Sequence, residues 1–165
     1  MQSSAVRSGN FAASLSATTN TGSNAYIRKI LNAAEFDLHA SLDIQITQEG
    51  LSGANVPILR LYDPAGTRIL SLYRQNLDSD HVWIYQSAVR NQISVLPLNT
   101  WGHFEVHVVT AGSSASTLEV WQDNVLVFST NTASLGTSGI LTIQVGYETT
   151  KQQFALIADN IQVSR

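Results

Sequence analysis

In three consecutive segments, residues 58–62, 69–73 and 81–85, polar or aromatic side chains alternate with aliphatic ones toward the end of the segment or throughout it. Alternate residues of a β-strand point to the same face of a sheet, so each segment has an aliphatic face and a polar, aromatic face. If the three segments pair as a meander, their polar, aromatic faces merge into one patch. The patch consists of Arg60, Tyr62, Tyr73, His81, Trp83 and Tyr85.

This patch has the chemistry of sugar recognition. Pyranose rings stack their C–H faces on aromatic rings, and their hydroxyl groups form hydrogen bonds with arginine, histidine and tyrosine. The alternative is structural, because the same aromatics could cover a sheet face beneath a loop or pair across strands for stability. We therefore predict a glycan-binding site formed by these six residues, with packing as the competing interpretation.

A second group of residues that could do chemistry is His103, Glu105 and His107. They alternate with Phe104 and Val106, so all three point to one face of a predicted strand. Alternate residues lie about 7 Å apart along a strand, so the three side chains reach one metal ion only if the strand bends strongly. We interpret them as part of a polar outer face rather than as a zinc or catalytic site.

The elements that would position these groups are strands. Period-2 alternation recurs in short runs bounded by turn residues, and only residues 24–38 compete as a helix. The sequences DPAG (Asp63–Gly66) and Asp123-Asn124 are typical of tight turns. About eleven or twelve strands are too many for one open sheet. We predict an all-β fold, a two-sheet antiparallel β-sandwich of jelly-roll type; an up-and-down barrel is an alternative, and an immunoglobulin-like sandwich is shorter than this chain.

Composition limits the function classes. The chain has 165 residues, a net charge of -3 and 13% charged residues, and it lacks the concentrated basic charge that nucleic acid requires. It has no cysteine and no apolar run of membrane-spanning length, so we expect neither thiolate chemistry nor membrane insertion. We predict that residues 1–8 are a linker, that residues 9–165 form a single domain, and that the domain is extracellular or at the cell surface as part of a longer chain.

The last third of the chain carries a recognisable series of features. Trp101 opens a strand, a second strand runs through Trp121 into the Asp123-Asn124 hairpin, a third ends at Gly146, and the closing strand carries Asp159. In this series residues 101–163 resemble the concanavalin A-like lectin/glucanase superfamily, and laminin-G-like domains in particular. The resemblance implies a jelly roll that recognises glycans or proteins and sometimes catalyses a reaction. It also implies that Asp159 could be a ligand of a structural calcium ion; the alternative is a carboxylate that ties down nearby backbone.

Motifs for catalysis are missing from the sequence. The glucanases of this superfamily carry Glu-x-Asp-x-x-Glu on one strand, and its lyases use Arg, Gln-x-His and tyrosine-rich strands; neither set is recognisable here. We therefore predict a non-catalytic carbohydrate-binding, lectin-like module and not an enzyme, with a glycan or polysaccharide as its partner. Two alternatives stay open: a protein-interaction or structural domain of an adhesin or fibre, and a polysaccharide lyase or glycosidase.

Overall fold

The computed structural model describes residues 1–76, 80–86, 88–147 and 152–165, with only the backbone at Tyr147. These residues form twelve strands in two six-stranded antiparallel sheets. The strands are β1 (Ala13–Ala17), β2 (Ala25–Glu35), β3 (Asp37–Gln48), β4 (Asn55–Tyr62), β5 (Arg68–Gln75), β6 (His81–Gln86), β7 (Val89–Val95), β8 (Trp101–Val109), β9 (Ser116–Gln122), β10 (Val125–Ala133), β11 (Ile140–Tyr147) and β12 (Phe154–Ser164). The first sheet has the order β1-β12-β3-β8-β9-β10, and the second sheet has the order β2-β11-β4-β5-β6-β7. The predicted all-β, two-sheet jelly-roll sandwich is confirmed.

The core lies between the two sheets and follows the alternation of the sequence. In β8, Phe104, Val106 and Val108 are buried, whereas the residues between them are partly exposed. In the second sheet, Leu59 and Leu61 of β4 are buried on the core side. Each such side chain contributes roughly 1.5–3 kcal/mol of burial free energy, so the core fixes which face of each strand points outward.

The predicted meander is present and is longer than expected. β4, β5 and β6 pair in sequence order, and β7 continues the meander at the edge of the second sheet. The strand at residues 89–95 has no counterpart in the sequence analysis. Residues 25–35 form β2 at the other edge of this sheet, so the competing helix at residues 24–38 is not formed.

Both predicted turns have the expected geometry. Asp123 and Asn124 have φ angles of 52° and 65°, the left-handed pair that a two-residue hairpin requires. In the DPAG turn, the Gly66 N–H donates to the Asp63 carbonyl at 3.0 Å, and Gly66 has a φ of 79°. Local sequence therefore sets these connections.

A buried arginine closes one end of the sandwich. Arg74 of β5 points to the core side, its side chain is 0% exposed, and its guanidinium forms ion pairs with Glu49 and Asp80. Its Nε donates to the carbonyl of Leu96 at 2.7 Å. Arg74 thereby joins β5 to the end of β3, to the segment before β6 and to the segment after β7.

We expect the substitution Arg74→Met to lower the free energy of unfolding by about 2–3 kcal/mol. Losing one partner of a fully buried pair costs about 3–5 kcal/mol, and the cost is smaller here because Glu49 and Asp80 reach solvent. Urea denaturation measures the change, with the exposed Arg7→Met as the matched control. Equal stability of the two variants would contradict this assignment.

The N-terminal residues are tied to the closing strand. The Asp159 carboxylate accepts hydrogen bonds from the backbone N–H groups of Arg7 at 2.9 Å, Ser8 at 3.0 Å and Asn160 at 2.8 Å. Burial raises the pKa of Asp159, but the three backbone donors outweigh burial and hold this pKa below its ordinary value. Asp159 thus has the role of a carboxylate that ties down backbone; a calcium ion at Asp159 stays a prediction.

We expect Asp159→Asn to lower the free energy of unfolding by about 1–2 kcal/mol, because neutral acceptors form weaker hydrogen bonds than a carboxylate. The native pKa lies below the unfolded one, so the stabilisation is full above the ordinary value of 3.8 and is lost as the pH falls below it. Thermal unfolding of both proteins between neutral and acidic pH measures the difference. A gap that stays constant down to the lowest pH would contradict the prediction.

In the part of the chain that the structure describes, we find no helix with the length and apolar character needed to span a membrane.

Candidate functional site

A row of polar side chains crosses the outer face of the second sheet from edge to edge. Each member is the direct cross-strand partner of the next, and the row contains one residue from every strand. In spatial order the row is Arg28, Gln144, Arg60, Ser71, Tyr85 and Arg90. Five inter-strand steps of about 4.8 Å give it a length of about 24 Å, the reach of an extended polymer rather than of a single sugar.

A cavity of about 290 Å³ lies over the meander half of this row. Three guanidinium groups and two phenol rings from β4 to β7 dominate its wall. Its lining consists of Asn55, Pro57, Arg60, Arg68, Ser71, Tyr73, Tyr85, Arg90 and Gln152. Such a wall attracts anions and also offers hydroxyl groups that can donate and accept protons.

Two of the arginines lie against aromatic rings. The guanidinium carbon of Arg90 is 5.0 Å from the centre of the Trp83 ring and 5.9 Å from that of Tyr73, and Arg68 is 5.2 Å from that of Tyr85. A guanidinium that uses its planar face in this way keeps its N–H edge available for a carboxylate. Arg68 and Arg90 are also solvent-exposed, so an anionic ligand can reach them.

The other half of the row is organised by a buried amide. Gln144 of β11 is 0% exposed, and its Oε1 accepts hydrogen bonds from Arg28 Nε at 3.1 Å and Nη2 at 2.8 Å. Arg28 also lies over Tyr26, 5.0 Å from the ring centre. A smaller cavity of about 130 Å³ is found here, lined by Arg28, Tyr62, Gly66 and Thr142.

The structure separates the six residues that the sequence analysis singled out. Arg60, Tyr73 and Tyr85 line the larger cavity, and Tyr62 lines the smaller one. Trp83 lies beneath Arg90, and its Nε1 is buried without a partner among the described residues. His81 belongs to the same strand face as Trp83 and Tyr85 but lines neither cavity.

Several residues of this face both pack against the sheet and line a cavity. Arg60, Tyr62 and Tyr73 are only 6–8% exposed, so they contribute to the stability of the sheet as well as to the cavity wall. A ligand-binding role of the six residues stays a prediction.

The sequence analysis missed Arg68, Arg90 and Gln144. Arg90 lies on β7, where Arg90 and Gln92 face outward opposite Tyr85 and Trp83. A register shift then places Ser94 opposite the buried Val82, so simple alternation is only a partial signal. Gln144 and Arg28 come from strands 116 positions apart, so no local pattern indicates their contact. They meet only because β11 pairs with both β2 and β4.

On the outer face of the first sheet, His103, Glu105 and His107 point outward from β8 as expected. They do not converge on one point. His103 contacts Asp43 through Nδ1 at 2.9 Å and Glu105 through Nε2 at 3.1 Å, whereas His107 contacts Glu119 and Asp37. This arrangement is the predicted polar outer face, with each imidazole between two carboxylates.

Neither a protein-family model nor a curated protein matches this chain. Solved structures do match it. It is similar to an endo-β-1,4-glucuronan lyase from the fungus Trichoderma reesei, with a TM-score of 0.77 and 12% identity over 98% of this chain and 84% of that one. It is also similar to the cellulose induced protein Cip1 (TM-score 0.73, 14% identity, 98% of this chain and 83% of that one) and to the family 7 polysaccharide lyase AlgAT5, an alginate lyase (0.69, 14%, 96% and 80%).

These similarities correct two predictions. The prediction of a non-catalytic binding module and the prediction that the chain is not an enzyme are wrong, because lyases predominate among the structures that share this fold over nearly the whole chain. The arginines and tyrosines of the cavity come from four strands and form no contiguous motif, so a search for short sequence motifs cannot detect a group of this kind. The chain has a jelly-roll β-sandwich fold, which it shares with the glucuronan lyase and the alginate lyase.

Proposed function

We propose that this protein is a polysaccharide lyase that cleaves an acidic, uronate-containing polysaccharide. The observation that carries the proposal is the cavity on the second sheet, where Arg60, Arg68 and Arg90 surround Tyr73 and Tyr85. The similarity to glucuronan and alginate lyases supports the same reaction class.

Elimination from a uronate needs two kinds of group. A base removes the proton from the carbon next to the carboxylate, the electron pair becomes a carbon–carbon double bond, and the glycosidic C–O bond breaks at the adjacent carbon. The leaving oxygen receives a proton, and no water is consumed. Cations on the carboxylate stabilise the negative charge that develops during proton removal, and positioned side chains transfer the two protons.

The cavity supplies both cations that can bind the carboxylate and hydroxyl groups that can transfer protons. The guanidinium groups of Arg68 and Arg90 present N–H edges that suit bidentate binding of a carboxylate. Of the described lining residues, Tyr73 and Tyr85 are the phenols, and their hydroxyls can act as general acid and base. The two tyrosines are diagonal neighbours on β5 and β6, about 7 Å apart at Cα, so one substrate unit can contact both.

The polar row indicates how a polymer would lie. The row continues beyond the cavity, whose wall on the sheet comes from β4 to β7, and Arg28 provides a further cation on β2 at the far edge of the sheet. A polymer that crosses the strands along the row would place some of its carboxylates near Arg90, Arg60 and Arg28, which are about 14 Å and about 10 Å apart by the strand spacing. This path favours cleavage within a polymer over cleavage of a short oligosaccharide.

An activity assay tests the proposal directly. We expect the purified protein to release unsaturated uronate ends from polyglucuronate or alginate, detected by the ultraviolet absorbance of the new double bond. Cellulose, a neutral polymer, serves as the control and should give no signal. Absence of the unsaturated product on every acidic polysaccharide tested would exclude a lyase of this kind.

The predicted location outside the cell or at its surface is compatible with the proposal, because polymeric polysaccharides are encountered there. The finer resemblance of residues 101–163 to laminin-G-like domains is not needed for the proposed reaction and stays a prediction.

A further inference from the structure

The outer face of the first sheet, opposite the proposed active site, carries a second cluster of titratable side chains. His39 of β3 and His107 of β8 are direct cross-strand partners. Their rings are parallel within 6°, and the ring centres are 4.0 Å apart. Asp37, two residues before His39 on the same face, places its Oδ1 3.0 Å from His107 Nε2. One ligand atom from each of these residues lies within 4.8 Å of the others.

The two nitrogens of His107 have different surroundings. Nδ1 contacts the Glu119 carboxylate at 2.9 Å, so an Nδ1–H donated to Glu119 directs the lone pair of Nε2 toward Asp37. A nitrogen lone pair and a carboxylate oxygen at 3.0 Å repel each other unless a proton lies between them or a metal ion binds both atoms from one side. The carboxylate–histidine–metal arrangement has this form, with the outer carboxylate orienting the ring.

We propose that Asp37, His39 and His107 form a binding site for a divalent first-row transition-metal ion such as Zn²⁺. Two imidazoles and one carboxylate are the donor set that such ions prefer, and two paired strands hold the three residues in place. Asp37 and His39 are exposed, so the ion can enter from solvent and water can complete its coordination. The proposed site is independent of the proposed lyase activity.

Metal binding requires rearrangement of His39 and of Asp37, whose carboxylate oxygen must move a few tenths of an ångström away from His107 Nε2 to allow two bonds of about 2 Å at a tetrahedral angle. The lone pairs of parallel stacked rings do not converge, so the exposed His39 must turn about its side-chain bonds to direct a nitrogen at the ion. His107 does not need to move, because Glu119 already orients it.

The experiment is a calorimetric titration of the whole protein with ZnCl₂ near neutral pH. We expect one ion per chain and a loss of more than about tenfold in zinc affinity for His39→Gln and for Asp37→Asn. Loss of a side chain that only orients a metal ligand already lowers metal affinity about 10–100-fold. Glu119→Gln should weaken binding by about tenfold and keep the one-to-one stoichiometry. The imidazole NMR signals of His39 and His107 should shift together during the titration.

His103→Gln is the matched control. His103 lies on the same strand, also between two carboxylates, but has no imidazole opposite it, so this variant should bind zinc as the wild type does. All these positions are on the sheet surface, and circular dichroism verifies that each variant folds. No zinc binding by the wild type, or an equal loss in His103→Gln and His39→Gln, would overturn the proposal.

Discussion

Tyr73→Phe and Tyr85→Phe are each expected to lower kcat on an acidic polysaccharide by about 10²–10⁴-fold, the contribution of a positioned acid or base. Each change removes one hydroxyl from the cavity wall and leaves the ring that packs against an arginine. Because the ring contacts are kept, KM should change little. Initial rates of unsaturated-product formation over a range of substrate concentrations measure both constants.

Tyr26→Phe is the control for both variants. Tyr26 lies on the same sheet with Arg28 over its ring at 5.0 Å, almost the geometry of Arg68 over Tyr85, but it lines neither cavity. It should retain the activity of the wild type. If the two cavity variants lose no more activity than Tyr26→Phe, neither phenol transfers a proton in the reaction.

Arg68→Gln and Arg90→Gln are expected to lower kcat/KM by about 10²–10³-fold each. A donor that stabilises developing charge typically contributes this much, and glutamine cannot replace the positive charge. Both arginines are exposed, so their loss should leave the fold intact, unlike the loss of the buried Arg74. The kinetic assay on polyglucuronate or alginate measures the effect.

Arg7→Gln provides the matching loss of one positive charge, because Arg7 is exposed and belongs to the N-terminal segment rather than to the cavity. It should stay within about twofold of the wild type at moderate ionic strength, since distant surface charges are screened. A similar decrease in Arg7→Gln and Arg90→Gln would show that overall charge, and not the cavity, governs activity.

The position of these arginines shows why net charge predicts little about a site. The chain as a whole carries a charge of -3, yet three guanidinium groups line one cavity. On the first sheet, Asp37, Asp43, Glu105 and Glu119 surround two imidazoles. The two outer faces therefore have different local charge, and a polyanion has reason to bind only one of them.

The sequence by itself determined the class of fold and the face of most side chains. Alternation in β4, β5 and β6 predicts which residues point inward, because the side-chain period of a strand is two and the apolar face must be buried. Asp123-Asn124 predicts its hairpin because both residues tolerate the positive φ that the turn needs. These are local properties, and local sequence is sufficient for them.

The tertiary structure decided which outward side chains meet. β11 lies between β2 and β4, and this non-local pairing places Gln144 between Arg28 and Arg60. The pairing of β3 with β8 likewise places His39 against His107, whereas the sequence indicated only the spacing along β8. Strand order depends on how the whole core packs, so the contact of Arg28 with Gln144 and the histidine cluster could be recognised only in the folded chain, whereas the predicted meander already placed Arg60, Tyr73 and Tyr85 on one face.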